Sequence, residues 1–494
     1  MPETAAPVRH VDVDRLLKSD GEVGGPVRLT VRDGRIAEVT EIPAPGNGLL
    51  AIPAFTNAHD HGRGLRTLAF GAVDDPLESG LPSVGREPRL PAFERAAVAF
   101  ARMAETGIAA TMHVHGFQAR SLADAVDEAA QVARAAAAVG IRVAFAPAFR
   151  DRNPFSYGNE AAFLAAADPA LRAALLAPPP GPWRPDIDDY LAFVETVATF
   201  EGPYFSVQYC PAGPQWVHET SLAAMARASA RSGRRIHMHL LETRPQREWA
   251  DFAHPEGLLG LLDRIGFLSP RLSVAHGVHL RDDEIDLLAA RGVIVSVNTS
   301  SNLRLRSGIA PVAGFVERGL TFGFGLDGLP IDDDDDMLRE IRLVHLLHQG
   351  FGFDAAVPPA RLLRAAMRDG RSAVLGRDDG PPPLTPGAIA DVAILDLAAM
   401  TRDQVDSAVD PLTVLLTRAT RRHLVGLLVG GAVVVENGRL VTVDRAALET
   451  RLLDAARCAW RAAPPDDEHM RRLRTTVRRF YGCGCHAGGF VAEE

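Results

Sequence analysis

The chain has 494 residues, more than one ordinary core holds, so one large domain with a smaller one is the expected organisation. Hydrophobic residues make up 47% and charged residues 23%, as in a soluble globular protein. Acidic residues outnumber basic ones by 62 to 53, and the net charge of -9 argues against a general nucleic-acid binder.

The N-terminal residues contain no basic segment followed by an apolar core, and no uncharged run approaches the roughly 18 residues of a membrane span. We therefore expect a cytoplasmic protein without a membrane partner. Four cysteines in a chain of this length do not form a disulfide framework, so reduced thiols are expected. Lys18 is the only lysine, which removes Schiff-base and phosphate-loop lysines from the candidate chemistry.

Short β-like segments fill the first 50 residues, where Asp33 and Gly34 form the turn of a predicted hairpin. Similar segments return near the other end, at residues 390–396, 425–429 and 432–436. Each terminal segment is small for an independent core. We predict one composite β-sandwich domain from residues 1–50 and 385–445, and two separate end domains are the alternative.

Between the termini, over residues 51–384, β-like runs alternate with helical stretches. The eight runs are residues 50–56, 109–114, 142–148, 204–209, 235–240, 272–275, 293–297 and 320–326. Helices fit the intervals, for example after the caps Ser121 and Thr220. This alternation predicts an α/β fold, a (β/α)8 TIM barrel.

Two stretches break the alternation, residues 61–90 and residues 150–190. Loops of this length at the C-terminal face of a barrel usually cover the site, so both are candidates for substrate specificity. Residues 446–494 form an extension that is predicted to be helical up to about Phe480. Beyond it, Cys483, Cys485 and His486 are predicted to lie in a flexible tail.

Two imidazoles, His59 and His61, end the first apolar run. Side chains two residues apart in a strand share a face, so both rings can bind one metal. Further polar groups follow later short apolar runs: His239 with Glu242, His276, and Asp327. A (β/α)8 barrel carries its chemistry at this end of its strands.

This ordered set resembles the amidohydrolase superfamily of metal-dependent hydrolases, especially its mononuclear branch of cytosine deaminases and triazine hydrolases. The resemblance implies four metal ligands: His59, His61, His239 and Asp327. The ligand types suit zinc, although Fe²⁺, Co²⁺ and Mn²⁺ accept the same ligands. The fourth run has no lysine to bridge two metals, so one divalent metal is expected, with Cys210 as a bridge the alternative.

The resemblance also implies catalytic roles for Glu242, His276 and Asp327. Hydroxide activated by the metal would attack an sp2 carbon, and Glu242 and Asp327 would move the protons that release an amine or ammonia. His276 would hydrogen-bond the nucleophile or a substrate oxygen. For Glu242 the alternative is a carboxylate that stabilises the start of a helix.

The candidate substrate contacts are His113, His115, Gln208, Arg63 and Arg66. For the two histidines, packing beside the metal layer is an equally weighted alternative, and for the two arginines it is solvent exposure. His237 shares a strand face with His239 one layer deeper and is expected to support the site. The acidic residues 332–336 precede a helical pattern and are expected to stabilise its start.

The expected function is that of an aminohydrolase acting on a nitrogen heterocycle, with a small-molecule substrate. An amidase, carbamate hydrolase or urea hydrolase on the same metal site is the alternative. A non-catalytic ligand-binding barrel is a remote third, because all the metal ligands are present. Base-flipping zinc deaminases are excluded because the chain lacks Pro-Cys-x-x-Cys. Superfamily members are often dimers or larger assemblies, so a homo-oligomer is one expectation.

Overall fold

The computed structural model describes residues 8–153, 155–177, 183–376, 380–406 and 408–488. The strands are β1 (Arg9–Val13), β2 (Arg15–Leu17), β3 (Val23–Gly24), β4 (Val27–Arg32), β5 (Arg35–Glu41), β6 (Leu49–Pro53), β7 (Phe55–Asp60), β8 (Ile108–His115), β9 (Arg142–Phe149), β10 (Phe205–Val207), β11 (Cys210–Pro211), β12 (Ile236–Leu240), β13 (Leu272–His276), β14 (Ile294–Val297), β15 (Thr321–Phe324), β16 (Val392–Asp396), β17 (Leu424–Val429), β18 (Ala432–Glu436) and β19 (Arg439–Leu440).

The α-helices are α1 (Leu77–Val84), α2 (Ala92–Ala104), α3 (Leu122–Val139), α4 (Glu160–Ala166), α5 (Pro169–Leu176), α6 (Ile187–Ala198), α7 (Glu219–Ser232), α8 (Arg244–Ala253), α9 (Leu258–Arg264), α10 (Asp282–Ala290), α11 (Thr299–Arg304), α12 (Val312–Glu317), α13 (Met337–His348), α14 (Pro359–Arg364), α15 (Gly370–Leu375), α16 (Leu397–Met400), α17 (Pro411–Arg418), α18 (Arg445–Ala462) and α19 (Asp467–Gly482). Within the described residues, none of the helices combines the length and the hydrophobicity that a membrane-spanning segment requires.

Two parallel sheets form the centre of the molecule. One has the strand order β10-β9-β8-β7, with β11 also paired to β9, and the other has the order β12-β13-β14-β15. Tyr209 bridges to Ile236 in parallel at one junction of the sheets. At the other junction, the backbone N–H groups of Leu326 and Asp327 donate to the carbonyl of His59. The expected α/β class with parallel strands is confirmed.

Both ends of the chain contribute to a further sheet with the strand order β19-β18-β17-β16-β6-β2-β3. A smaller antiparallel sheet, β1-β4-β5, contains the predicted hairpin around Asp33 and Gly34. Apolar side chains of the two sheets form one cluster that includes Leu29, Ile36 and Val392. The two terminal segments therefore pack against each other. Each is too small to form a stable hydrophobic core alone, so this packing is expected.

The predicted run 50–56 proves to be two strands in different sheets. The strand β6 pairs with β16 of the terminal sheet, whereas β7 pairs with β8 of the parallel sheet. The chain crosses between them at Ala54, whose N–H donates to the carbonyl of Asp391. Both strands are buried, so the apolar run gave no sign of the crossing.

Several helix starts and loop structures differ from expectation. Ser121 caps α3 as predicted by accepting from the N–H of Asp124. The helix α7 begins after His218, whose side chain makes no capping hydrogen bond, and not after Thr220. The stretch 61–90 contains α1, and the stretch 150–190 contains α4, α5 and the start of α6. Residues 178–182 of the second stretch lie outside the described residues.

The C-terminal extension is helical as predicted and packs against the rest of the chain. Its helix α19 lies against α1 and α4. Cys483 and Cys485 are joined by a disulfide, so the expectation of reduced thiols is wrong for these two, whereas Cys210 and Cys458 are free thiols as expected. His486 is buried beside Glu248 of α8, at 3.1 Å, so this segment is fixed and not a flexible tail.

Candidate active site

Histidine and carboxylate donors from distant parts of the sequence converge at one end of the parallel strands. The ligand atoms of His59, His239, His276 and Asp327 all lie within 4.8 Å of one another. Asp327 Oδ1 lies 3.1 Å from Nε2 of His59 and 3.1 Å from Nε2 of His61. Five donors thus meet in one small volume: they come from the strands β7, β12 and β13, from His61 directly after β7, and from the loop after β15.

Hydrogen bonds on the far side of each ring fix the orientation of two imidazoles. Nδ1 of His59 lies 2.7 Å from Nε2 of His237, whose Nδ1 lies 2.7 Å from Oγ of Ser273. Nδ1 of His239 lies 2.8 Å from the carbonyl oxygen of Ala212. The Nε2 atoms of His59 and His239 therefore face the donor cluster, and His237 has the supporting position that its sequence spacing predicts.

The segment that follows β14 fixes the other two donors. Ser301 donates a hydrogen bond of 2.5 Å to Oδ2 of Asp327, so Oδ1 is left for the cluster. Nδ1 of His276 lies 2.8 Å from Oδ1 of Asn302. The buried Nε2 of His276 has no hydrogen-bond partner among the described residues. A buried nitrogen without a partner is costly, so this atom is available to a ligand.

Burial and mutual contacts set the protonation of the cluster. Burial lowers the pKa of His59 to about 4, and burial also brings the pKa of His239 well below its ordinary value. Burial alone would raise the pKa of Asp327, but the contacts from His59 and His61 outweigh it and bring that pKa well below its ordinary value. Neutral imidazoles and an ionised carboxylate are the forms that bind a metal.

Two side chains missed by the sequence reasoning hold the loop of Asp327 against β7. Asp60 accepts hydrogen bonds from the N–H of Gly62 at 2.7 Å and from the N–H of Gly328 at 3.1 Å. Asn57 accepts from the N–H of Leu326 at 3.0 Å. Both lie within three residues of a candidate ligand histidine, and that proximity was the only signal the sequence offered.

The backbone is strained at two of the donors. His276 has a φ of 75° and Asp327 a φ of 57°, in the left-handed region that favours glycine. Such conformations cost of order 1 kcal/mol each and persist only where the surroundings impose them. They place both side chains at the end of their strands, facing the cluster.

Glu242 lies beside the cluster in a buried position after β12. Its Oε2 lies 3.7 Å from Nε2 of His276, and Ser307 donates to its Oε1 at 3.5 Å. Burial raises the pKa of Glu242 to about 7. At neutral pH both protonation states of this carboxyl are therefore accessible, as proton transfer requires.

A cavity of about 230 Å³ opens onto the cluster; we call it the main cavity. His61, His239, Glu242, His276 and Asp327 line its inner end, and Arg63 lines it too. The buried Nε of Arg63 has no hydrogen-bond partner within the described ranges. A molecule that enters the cavity can therefore reach the donors, the carboxyl of Glu242 and a guanidinium.

Other candidate substrate contacts lie elsewhere. His113 and His115 face α2 and α3: the ring of His113 packs on Phe100, and His115 lies 3.1 Å from Glu128. Their neighbour Val114 lines the main cavity instead. Because side chains alternate along β8, the two histidines share the outer face, so we do not propose them as substrate contacts.

The amide of Gln208 donates to the carbonyls of Ala373 and Val374, at 3.2 and 3.1 Å. Arg66 donates to Asp335 at 2.5 Å. The amide nitrogen of Gln208 and the guanidinium of Arg66 are occupied by structural bonds, and neither residue lines the main cavity, so neither is proposed to contact a substrate.

The donor set fits a divalent metal ion. Imidazole nitrogens and a carboxylate oxygen are the ligands of mononuclear catalytic sites, which keep a position open for a further ligand. The partnerless Nε2 of His276 and the adjoining cavity meet that requirement.

The sequence model of the amidohydrolase family matches residues 50–440. The chain therefore belongs to the amidohydrolase family, and the family expected from the sequence is confirmed.

Curated relatives carry deaminase names. The 5-methylthioadenosine/S-adenosylhomocysteine deaminase of Haloarcula marismortui is 28% identical over 414 residues, which cover 82% of this chain and 86% of that protein. The protein of the same name from Nitratidesulfovibrio vulgaris is 31% identical over 281 residues, which cover 56% of this chain and 63% of that protein. The 5'-deoxyadenosine deaminase of Methanosarcina barkeri is 32% identical over 237 residues, which cover 48% of this chain and 54% of that protein. The chain thus spans only about half to two thirds of the length of the last two relatives.

Solved structures share the fold. A zinc-bound adenosine deaminase from Xanthomonas campestris has a TM-score of 0.73 at 23% identity, with 94% of this chain and 98% of that chain covered. A mutant of the atrazine chlorohydrolase from Arthrobacter aurescens TC1, in complex with zinc and atraton, has a TM-score of 0.75 at 21% identity, with 90% of this chain and 98% of that chain covered. The expected likeness to deaminases and triazine hydrolases is confirmed at the level of the fold.

Proposed function

We propose that this protein is a metal-dependent aminohydrolase that removes an amino group from a nitrogen heterocycle. The observation that carries the proposal is the meeting of the donor cluster with the buried carboxyl of Glu242 in one accessible cavity. A metal-binding cluster alone would suit any hydrolase of the family. A carboxyl with a pKa of about 7 beside it suits a reaction that delivers a proton to a ring nitrogen.

We propose four metal ligands, His59, His61, His239 and Asp327, and zinc as the metal they hold. When bound, a zinc ion would supply Lewis-acid chemistry and lower the pKa of coordinated water to about 7. The zinc-bound adenosine deaminase and atrazine chlorohydrolase of similar fold support this choice.

The protein side chains then orient the substrate and move protons. Glu242 in its protonated form would donate to a ring nitrogen, which makes the adjacent carbon more electrophilic. The Nε2 of His276, 3.7 Å from Glu242, would hold a neighbouring oxygen or nitrogen by a hydrogen bond. Asp327 would both hold the metal and accept a proton during the reaction, and Ser301 orients its carboxylate by donating to Oδ2.

The relatives suggest a first class of substrates. Their names include 5-methylthioadenosine, S-adenosylhomocysteine and 5'-deoxyadenosine, all of which carry an adenine ring. We propose adenine nucleosides as the first compounds to test. Arg63 would contact an acceptor atom of the bound molecule, since it lines the main cavity with its Nε free of other described bonds.

We also propose that the two parallel sheets close into one (β/α)8 barrel over residues 51–384. The hydrogen bonds between β7 and the loop after β15, and the bridge from Tyr209 to Ile236, support closure. Residues 1–50 and 385–445 would form the composite β-sandwich, and residues 446–494 the extension. A cytoplasmic location and a homo-oligomer remain further proposals.

Replacement of Glu242 by Gln tests the proposed function. We expect Glu242→Gln to lower ammonia release from adenine nucleosides by about 10²- to 10⁴-fold, because an amide cannot transfer the proton. The bound metal should stay unchanged. The matched control is Glu256→Gln at an exposed site, which should keep full activity. Hydrolysis of amides or carbamates that survives Glu242→Gln would favour the amidase alternative.

A further inference from the structure

A second cavity adjoins the main cavity; we call it the side cavity. Its volume is about 220 Å³, and its walls include α1, Tyr157 and α19 of the C-terminal extension. Leu81, Arg150 and Trp216 line both cavities, so the two meet at these side chains. A molecule bound at the donor cluster can therefore extend an arm towards the C-terminal extension.

The guanidinium of Arg150 lies at the junction, with its central carbon 4.2 Å from the centroid of the Trp216 ring. It makes no hydrogen bond or ion pair with the part of the chain that the structure describes. Desolvation by the surrounding protein lowers the pKa of Arg150 to about 10, and the nearby charge of Arg184 lowers it further. The Arg150 side chain is nevertheless exposed where it lines the two cavities, so at neutral pH it is a solvent-accessible cation without a counter-ion among the described residues.

Two carboxylates of this region, Asp151 next in sequence and Glu78 on the cavity wall, are engaged elsewhere. Asp151 accepts from the N–H of His218 at 2.8 Å and from the hydroxyl of Ser221 at 2.6 Å. Glu78, which lines the side cavity, accepts from Thr243 at 2.5 Å and from the hydroxyl of Tyr157. The guanidinium of Arg150 is therefore free to pair with an anion that enters the cavity from outside the chain, and such a pair is stronger beside the protein than in bulk water.

Most of the side-cavity wall is apolar or aromatic. The ring of Tyr157 lies 5.0 Å from that of Tyr481 and 5.8 Å from that of Trp216, between centroids. The hydroxyl of Tyr481 accepts from the N–H of Tyr157 at 3.1 Å, and Leu473 completes the wall from α19. This lining fits an apolar arm that carries one negative charge near the junction.

The wall from the C-terminal extension is held rigidly in place. Asp75, directly before α1, accepts from Arg474 at 2.8 Å and from Arg478 at 2.7 Å, both on α19. His486 lies 3.1 Å from Glu248 of α8. The C-terminal extension therefore forms a fixed wall of the side cavity, and its side chains can determine which ligands fit there.

We propose that the side cavity binds a carboxylate-bearing apolar arm of the substrate, with Arg150 as the counter-ion and the C-terminal extension as the wall that selects the arm. A planar carboxylate matches the planar fork of guanidinium donors, and the stacked Trp216 ring fixes that fork in place. The inference rests on the proposed function and narrows it to heterocycles that carry such an arm.

Two probes that share a ring and differ only in charge test the proposal: indole-3-propionate and indole-3-propionamide. Their binding to the zinc-loaded protein is measured by calorimetry, independently of any turnover. We expect the acid to bind about tenfold or more tightly than the amide. Arg150→Met should remove this preference, and Arg150→Lys should keep part of it.

A second variant probes the wall from the extension. Leu473→Trp should fill the side cavity and weaken binding of both probes by about tenfold or more. The matched control Arg479→Gln, on an exposed position of the same helix, should leave both affinities unchanged.

Equal affinity for acid and amide, or a preference that persists in Arg150→Met, would overturn the proposal. So would the absence of binding of the acid at millimolar concentration. Ammonia release from heterocycles is assayed separately on the same protein. Acid-selective binding without ammonia release would refute the deaminase function and support the side-cavity site. Ammonia release without acid-selective binding would support the deaminase function and refute the side-cavity site.

Discussion

Nδ1 of His59 lies 2.7 Å from Nε2 of His237, within the layer of side chains below the donor cluster. The contact leaves Nε2 of His59 as the atom that faces Asp327. His237 thus fixes the orientation and tautomer of a proposed metal ligand without binding the metal.

Loss of this support should weaken metal binding. We predict that His237→Ala lowers zinc affinity by about 10- to 100-fold, as is typical when the partner of a ligand histidine is removed. Competition with a fluorescent chelator measures the affinity. His218→Ala, at an exposed histidine, is the control and should not change it. Unchanged affinity in His237→Ala would contradict the supporting role.

Asp60 should act on the site through backbone position. In Asp60→Asn, one carboxylate oxygen becomes an N–H donor that faces the N–H of Gly62 or Gly328. We predict a loss of about 1–3 kcal/mol in the free energy of unfolding, together with weaker zinc binding. Chemical denaturation and metal titration measure the two effects. Asp283→Asn, exposed on α10, is the control, and full zinc affinity in Asp60→Asn would refute the predicted coupling.

Asp391 joins the parallel strands to the terminal sheet. It accepts from Arg371 at 2.7 Å, from the N–H of Gly430 at 2.6 Å and from Arg142 at the start of β9. Breaking a buried ion pair of this kind typically costs about 3–5 kcal/mol, so Asp391→Ala should lose that much stability. Thermal unfolding should show it, and a loss below about 1 kcal/mol would show that the sheets are held together without this carboxylate.

The same carboxylate gives the stability a pH dependence. Burial alone would raise the pKa of Asp391, but Arg371 and Arg142 outweigh it, so the pKa in the folded state lies below the ordinary 3.8. Its contribution is therefore present in full above the unfolded pKa and is lost as the pH falls through the lowered folded pKa. We predict that acid destabilises the wild type more steeply than Asp391→Asn below about pH 4. The prediction would be contradicted if the free energies of unfolding of the wild type and of Asp391→Asn fell in parallel as the pH is lowered.

The structure brings together donors that two regularities of the sequence predict. His59 lies in β7 and His61 directly follows that strand, and further candidates end later apolar runs, where parallel strands meet. The same spacing does not decide between substrate contact and packing for His113 and His115. Alternation shows that both histidines share one face of β8. Because β8 is buried on both faces, hydropathy could not show whether that face points towards the cavity or towards the surrounding helices.

Features that depend on contacts distant in sequence could not be predicted. The split between β6 and β7 is set by pairing with β16 and β8, and no local residue pattern marks it. The position of α19 over the side cavity depends on Arg474 and Arg478 reaching Asp75, about four hundred residues earlier. Charge and periodicity predict a helix there but not its partner.

Elemental analysis of metal content tests the central claim most directly. After zinc loading and dialysis into metal-free buffer, the wild type should retain one zinc ion per chain. The variants His59→Ala and Asp327→Ala should retain far less, while His218→Ala should match the wild type. A folded wild type that retains no zinc, or an Asp327→Ala variant that retains as much as the wild type, would contradict the account.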